Sequence, residues 1–262
     1  MQTQNLPLML KRSSGPPRFR VLLQALALLA TLTATTQAQL GSAVKQLLVT
    51  QSKSWNSSTG YLQAFQRSSS TQPWSPVFSS QIPVMLGRNG LAWGRGVFQT
   101  PKNGVPLKVE RDGKAPAGIF QLGRLFGYAD TPPSGVRWPF QNVGPWDAYV
   151  DDPKNPYYNQ HMRVDPRQVP AWFESQRMRL GDFAYKWKLE IRHNQQPVAP
   201  GYGSAIFFHI RRGPDKPSAG CTTMRESDLI RLLQWLDIKA SPHYVLLPQA
   251  DYQTLRGAWR LP

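Results

Sequence analysis

Between Thr100 and Pro170 prolines recur so often that neither a long helix nor a long central strand can run through the segment. Each proline fixes φ and removes a backbone donor, which breaks helices and confines strands to short or edge positions. The rest of the chain carries mostly strand patterns. Phe183, Tyr185, Trp187, Leu189 and Ile191 fall on alternate positions of Asp182–His193, and Gly60–Arg67 alternates as well. That period of two predicts half-buried strands. Ser204–Ile210 is a continuous apolar run, as expected of a strand buried on both faces. Turn signals stand at Gly87-Arg88-Asn89-Gly90 and Asp112-Gly113. Only one helix is clear: Leu229, Leu232, Leu233 and Leu236 share a helical face, with Thr223 and Glu226 spaced for a capping box. The pattern predicts a mainly β fold, sandwich or barrel-like sheets with a few helices.

The N-terminus reads as an export signal. Lys11, Arg12, Arg18 and Arg20 precede the uncharged run Val21–Thr33, and Thr36-Gln37-Ala38 has the small-x-small pattern of a cleavage site. The apolar run is short for a bilayer crossing, which needs ~20 residues. We therefore expect residues 1–38 to be a signal peptide, and no stable membrane insertion once it is cleaved. Periplasm or cell envelope is the compartment this implies. Ser42–Gln81 is rich in Ser, Gln and Thr but also holds Leu47, Leu48, Val49, Trp55, Tyr61, Phe65 and Trp74. That is too much apolar area for disorder. The expectation is an N-terminal extension over 39–80, made of strands packing on a main domain over 81–262.

The formal net charge is +16, of which residues 1–38 supply four. A basic surface attracts polyanions. Lys and Arg are scattered, with no basic block, which argues against a nucleic-acid arm. An exported chain is better matched to carboxylate-bearing wall polymers than to nucleic acid.

Cys221 is the only cysteine, so no internal disulfide is possible. A lone thiol in an exported chain is either a reactive group or a small buried hydrophobe. Its surroundings favour the first. The apolar run Ser204–Phe208 leads into His209; a Gly- and Pro-containing loop follows, then Ser218-Ala219-Gly220-Cys221. Imidazole beside thiol is the standard way to activate a sulfur nucleophile. Gly220 lets the backbone approach a ligand closely. The amides of Gly220 and Cys221 are natural donors for a developing oxyanion, and the Ser218 hydroxyl can orient the loop or His209. A helix beginning soon after Cys221 would add its positive end. His209 and Cys221 lack the short spacing of a zinc pair, and no CxxC or HxxxH exists, so we expect no metal.

These residues resemble the signature of the L,D-transpeptidase catalytic domain, the YkuD-like family: a His, a loop, then Ser/Thr-x-Gly-Cys. Gly87–Gly96, Lys108–Gly127, Trp146–Asn159, Asp182–Asn194 and Gly203–Cys221 resemble successive blocks of one branch. The common pattern has His where this chain has Ala219 and Arg where it has Thr223, and its His-to-Cys loop is longer. The resemblance implies that Cys221 attacks a peptidoglycan stem tetrapeptide and releases D-alanine. The resulting acyl-enzyme passes to an amine, with His209 as base and then acid. No cofactor is implied. Tyr158 and Asn159 lie in a matching block and are candidates for substrate binding. Two other readings stay open: a hydrolase on the same fold, with water as acceptor, and a non-catalytic wall-binding protein.

Overall fold

The computed structural model describes residues 39–262, and the expected signal peptide at 1–38 lies outside the described residues. The described residues group as one compact unit. In chain order the strands are β1 (Gln46–Ser52), β2 (Thr59–Gln66), β3 (Ser75–Pro76), β4 (Ile82–Met85), β5 (Leu91–Trp93) and β6 (Ala115–Gly127). Then come β7 (Phe140–Asn142), β8 (Asp147–Tyr149), β9 (His161–Arg163), β10 (Trp187–Ile191), β11 (Phe207–Ile210), β12 (Thr222–Met224) and β13 (His243–Pro248). The α-helices are α1 (Phe173–Gln176), α2 (Glu226–Trp235) and α3 (Gln249–Trp259).

Eight strands close into a barrel in the order β1-β13-β6-β10-β11-β12-β4-β2, with β2 returning to β1. Neighbours are antiparallel except at β1–β13 and β11–β12. Closure removes the free edges that an open sheet must protect. β1 is hydrogen-bonded on both sides: Leu48 stands opposite Tyr244 of β13 and Ala64 of β2. The apolar residues at 46–52 are thus staves of the barrel wall, which explains why so polar a region carries Leu47, Leu48 and Val49 fully buried. The barrel interior is filled by Leu48, Leu62, Phe120, Leu189, Phe208 and Leu246 among others, which the register places on one face of the wall.

Local readings of the sequence hold in some places and fail in others. The leucines of α2 are buried as the spacing demands, but the helix starts at Glu226 behind Arg225, without a side-chain cap. Thr223 belongs to β12, so the capping box does not form. The strand expected over Asp182–His193 begins only at Trp187. Asp182 accepts the Ala184 amide and turns Phe183–Tyr185 into a 3₁₀ helix. β11 likewise starts at Phe207 rather than Ser204, because Ala205 takes a left-handed φ of 53°. Helix α3 was not expected, although Tyr252, Leu255 and Trp259 share its inner face.

If β1 is integral to the barrel, Leu48→Ala should cost ~2–5 kcal/mol of stability, the usual range for an emptied core leucine. Urea unfolding of the chain from residue 39 measures this. An unchanged midpoint would mean that the strand is dispensable.

Candidate active site

The site lies on the outer face of the barrel wall. Register places Lys188 of β10 opposite His209 of β11, and His209 opposite Thr223 of β12. Partners across a ladder point to the same side, and alternation adds Phe207 and Cys221 to that face. Phe208 and Ile210, on the other face, pack into the barrel core. The outer face is covered by the chain between β6 and β10: Val143, Tyr149 and Met178 pack on Phe126 and Phe207, with Tyr128, Ala205 and Cys221 at the edge. A cavity of about 190 Å³ remains between cover and wall, lined by Cys221, Lys188, Phe207, Tyr149, Tyr185 and Met178.

The two residues singled out as nucleophile and base are therefore brought together on one face. The Phe207 amide donates to Cys221 Sγ at 3.4 Å, and the thiol donates to the Ala205 carbonyl at 3.6 Å. His209 is buried, and its Nδ1 lies 2.9 Å from the Ile210 carbonyl. A carbonyl only accepts, so Nδ1 carries the proton and Nε2 keeps its lone pair. The Tyr185 ring packs 4.8 Å from the imidazole, centroid to centroid.

Desolvation sets the charge states. Burial pushes the Cys221 thiol up to about 11, opposed by the Phe207 amide and then by Lys108, Lys188 and Arg212. Burial also pushes His209 down to about 4, with the Ile210 carbonyl working the other way and Arg212 and Lys188 adding to the shift. At rest the pair is neutral thiol and neutral imidazole, rather than the thiolate and imidazolium of a pre-ionised pair. A neutral imidazole is the form able to accept a proton.

Ser218 and Gly220 shape the turn before Cys221. Ser218 Oγ donates to the Cys221 carbonyl at 2.5 Å and accepts the Gly220 amide at 3.0 Å. Because that amide is already engaged, Gly220 is not placed as an oxyanion donor, contrary to the expectation; the amide of Cys221 is the one left beside the sulfur. Gly220 has φ of 151°, and a Cβ there would come within 2.9 Å of the Lys114 carbonyl oxygen. Only glycine fits. Nor does a helix end support the thiol: β12 intervenes between Cys221 and α2.

Tyr158 and Asn159, expected to touch substrate, are both 2% exposed and do not line the cavity. The Tyr158 hydroxyl donates to Glu110, which also accepts from Ser204 Oγ at 2.8 Å. Asn159, itself at φ 59°, donates from Nδ2 to the carbonyls of His193 and Asn194, each at 2.9 Å. Its Oδ1 accepts the Ala205 amide at 3.1 Å. The two residues thus hold the strained turn whose carbonyl meets Sγ, and this places them as positioning residues. The sequence reading missed Lys188, Tyr149, Tyr185 and Met178 on the cavity wall. Strand alternation put Lys188 on the same side as His209, but nothing local showed that this side is covered.

If Asn159 positions the Ala205 turn, Asn159→Ala should destabilise the fold by ~1–3 kcal/mol, the cost of leaving buried polar groups unpaired. Thermal unfolding checks this. An unchanged midpoint with a raised KM alone would instead mark Asn159 as a substrate contact.

The family model described as the L,D-transpeptidase catalytic domain (YkuD) matches residues 58–245. No curated protein and no solved structure matches the chain. The match spans the barrel from β2 into β13 and includes the whole face that carries His209 and Cys221. The chain belongs to the L,D-transpeptidase catalytic-domain family, whose enzymes act on peptidoglycan.

Proposed function

We propose that this protein is an exported L,D-transpeptidase that acts on peptidoglycan stem tetrapeptides through an acyl-enzyme on Cys221. The observation that carries this reading is the shared face of Cys221 and His209, with His209 Nδ1 tied to the Ile210 carbonyl. That tie leaves Nε2 as the base. In the first step Nε2 takes the thiol proton while sulfur bonds to the carbonyl carbon on the L-side of the bond to D-alanine. The carbonyl becomes an oxyanion, which the Cys221 amide holds. The C–N bond then breaks, His209 returns its proton to the leaving nitrogen, and D-alanine departs from the thioester. An acceptor amine repeats the sequence in reverse: it attacks the thioester, gives its proton to Nε2, and the sulfur leaves with the new amide formed.

The resting neutral pair fits this cycle, because the proton moves as the bond to carbon forms and no thiolate waits exposed to oxidants. The excess of basic residues suits a substrate that carries several carboxylates. A basic, then apolar, then small-residue N-terminus supports export to the periplasm or cell envelope. No helix among the described residues is long and apolar enough to cross a membrane.

Intact-protein mass spectrometry with purified muropeptides or a carbapenem tests the reading. We expect a covalent adduct on the wild type and none on Cys221→Ala. Absence of any adduct on the wild type would contradict it. Cross-linked dimers are the expected products, and trimmed monomers alone would make the enzyme a hydrolase.

A further inference from the structure

Lys188 is a buried cation with no ion pair among the described residues. The residue is 4% exposed. Its ammonium donates only to the Met178 carbonyl, at a long 3.4 Å. It also stands 5.3 to 5.9 Å from the ring centroids of Tyr185, Tyr128 and Phe207. Among the described residues no carboxylate lies within ion-pair distance of it. Burial holds it down to about 8, opposed by its interactions with Cys221 and Asp147. An unpaired buried charge is costly, and a fold retains one where an anion arrives later.

The other charges around the thiol are already matched. Three cations bear on Cys221: Lys108, Lys188 and Arg212. Lys108 Nζ is 2.7 Å from Asp112, and Arg212 is paired with Asp182. Asp147, the carboxylate that bears on Lys188, is bound by His161 at 2.7 Å and Arg163 at 2.9 Å. Asp182 also faces His209. Tyr149 and Tyr185 on the cavity wall are both held above the ordinary phenol range, first by burial, and stay neutral. Asp151 and Arg177 also line the cavity; Arg177 is 3.5 Å from Glu174, and Asp151 makes no ion pair with Lys188. Of the three cations that bear on Cys221, Lys188 is the one with no ion-pair partner among the described residues, and it stands directly across from His209 on the face that carries Cys221.

We propose that Lys188 is the counter-charge for Cys221, stabilising the sulfur anion and the oxyanion that follows it. This rests on Cys221 being the nucleophile. As Sγ–H gives its proton to His209 Nε2 and sulfur bonds to the carbonyl carbon, the lone ammonium meets the negative charge that develops on sulfur and then on the carbonyl oxygen. The same ammonium repels a proton on His209. It therefore keeps the base neutral before the step and makes the imidazolium a readier acid toward the leaving amine. The cation is supplied from β10, on the opposite side of His209 from Thr223, whose buried hydroxyl has no partner among the described residues.

The test is the pH profile of Cys221 alkylation by iodoacetamide in Lys188→Met and Lys188→Arg, read by intact mass. Lys188→Met should slow alkylation near neutrality by about tenfold, the effect of one unit of thiol pKa, and its profile should converge on the wild type above about pH 8, where the ammonium loses its proton. Lys188→Arg keeps the charge and should stay near the wild-type profile. A Lys188→Met profile that overlays the wild type overturns the proposal. Should Lys188→Met fail to fold by circular dichroism, Lys188→Gln is read by the same criterion. Alkylation needs no substrate, so a shifted profile without any muropeptide adduct would uphold the counter-charge and sink the transpeptidase reading. An unshifted profile with an adduct would do the reverse.

Discussion

The parallel pairing of β11 and β12 is the constraint on which the site depends. Two parallel neighbours cannot be joined by a tight hairpin, so the chain must leave the barrel after Ile210 and return before Thr222. Residues 211–221 make that excursion, and Ser218 ties off its end with two hydrogen bonds. The register that results, His209 against Thr223, fixes the side on which Cys221 emerges. A slip of one residue would turn the imidazole into the barrel core and the thiol away from it.

Burial then does the electrostatic work. The cover between β6 and β10 removes water from the outer face, which makes both the thiolate and the imidazolium expensive. The pair accordingly rests neutral. The cover is itself held by charge: Asp147, fully buried, takes His161 and Arg163 on one side, and its carbonyl accepts the Met178 amide at 2.8 Å on the other. Met178 in turn packs on Phe207 beside the thiol. Asn159 acts on the opposite flank by fixing the Ala205 turn. Cys221 and the Ala205 turn are thus positioned from two sides, by Asp147 and Asn159, neither of which lines the cavity.

Much of this was legible in the sequence where the signal is local. A lone cysteine after Ser-Ala-Gly, and a histidine at the end of an apolar strand, pointed to two residues that the fold sets on one face. Leucine spacing identified α2. Long-range features were not legible. Ala205 and Asn159 have positive φ without being glycine, and nothing in their types announces it. Asp182 converts a well-patterned strand start into a 3₁₀ turn through a side-chain cap that competes with the ladder. The roles of Lys188 and Tyr158 depend on what covers them, which is chain distant in sequence. Tyr158 and Asn159 sat in a recognisable block, but the block marks the frame of the site and not its lining.

The central claim is that His209 is a neutral base with its proton held on Nδ1. Nitrogen-15 NMR of the imidazole tests this directly between about pH 5 and 8, the range in which an ordinary histidine titrates. The account predicts one protonated nitrogen, Nδ1, and one unprotonated nitrogen, Nε2, with no titration, because burial holds the group down to about 4. A proton on Nε2, or an imidazolium at neutral pH, would contradict it.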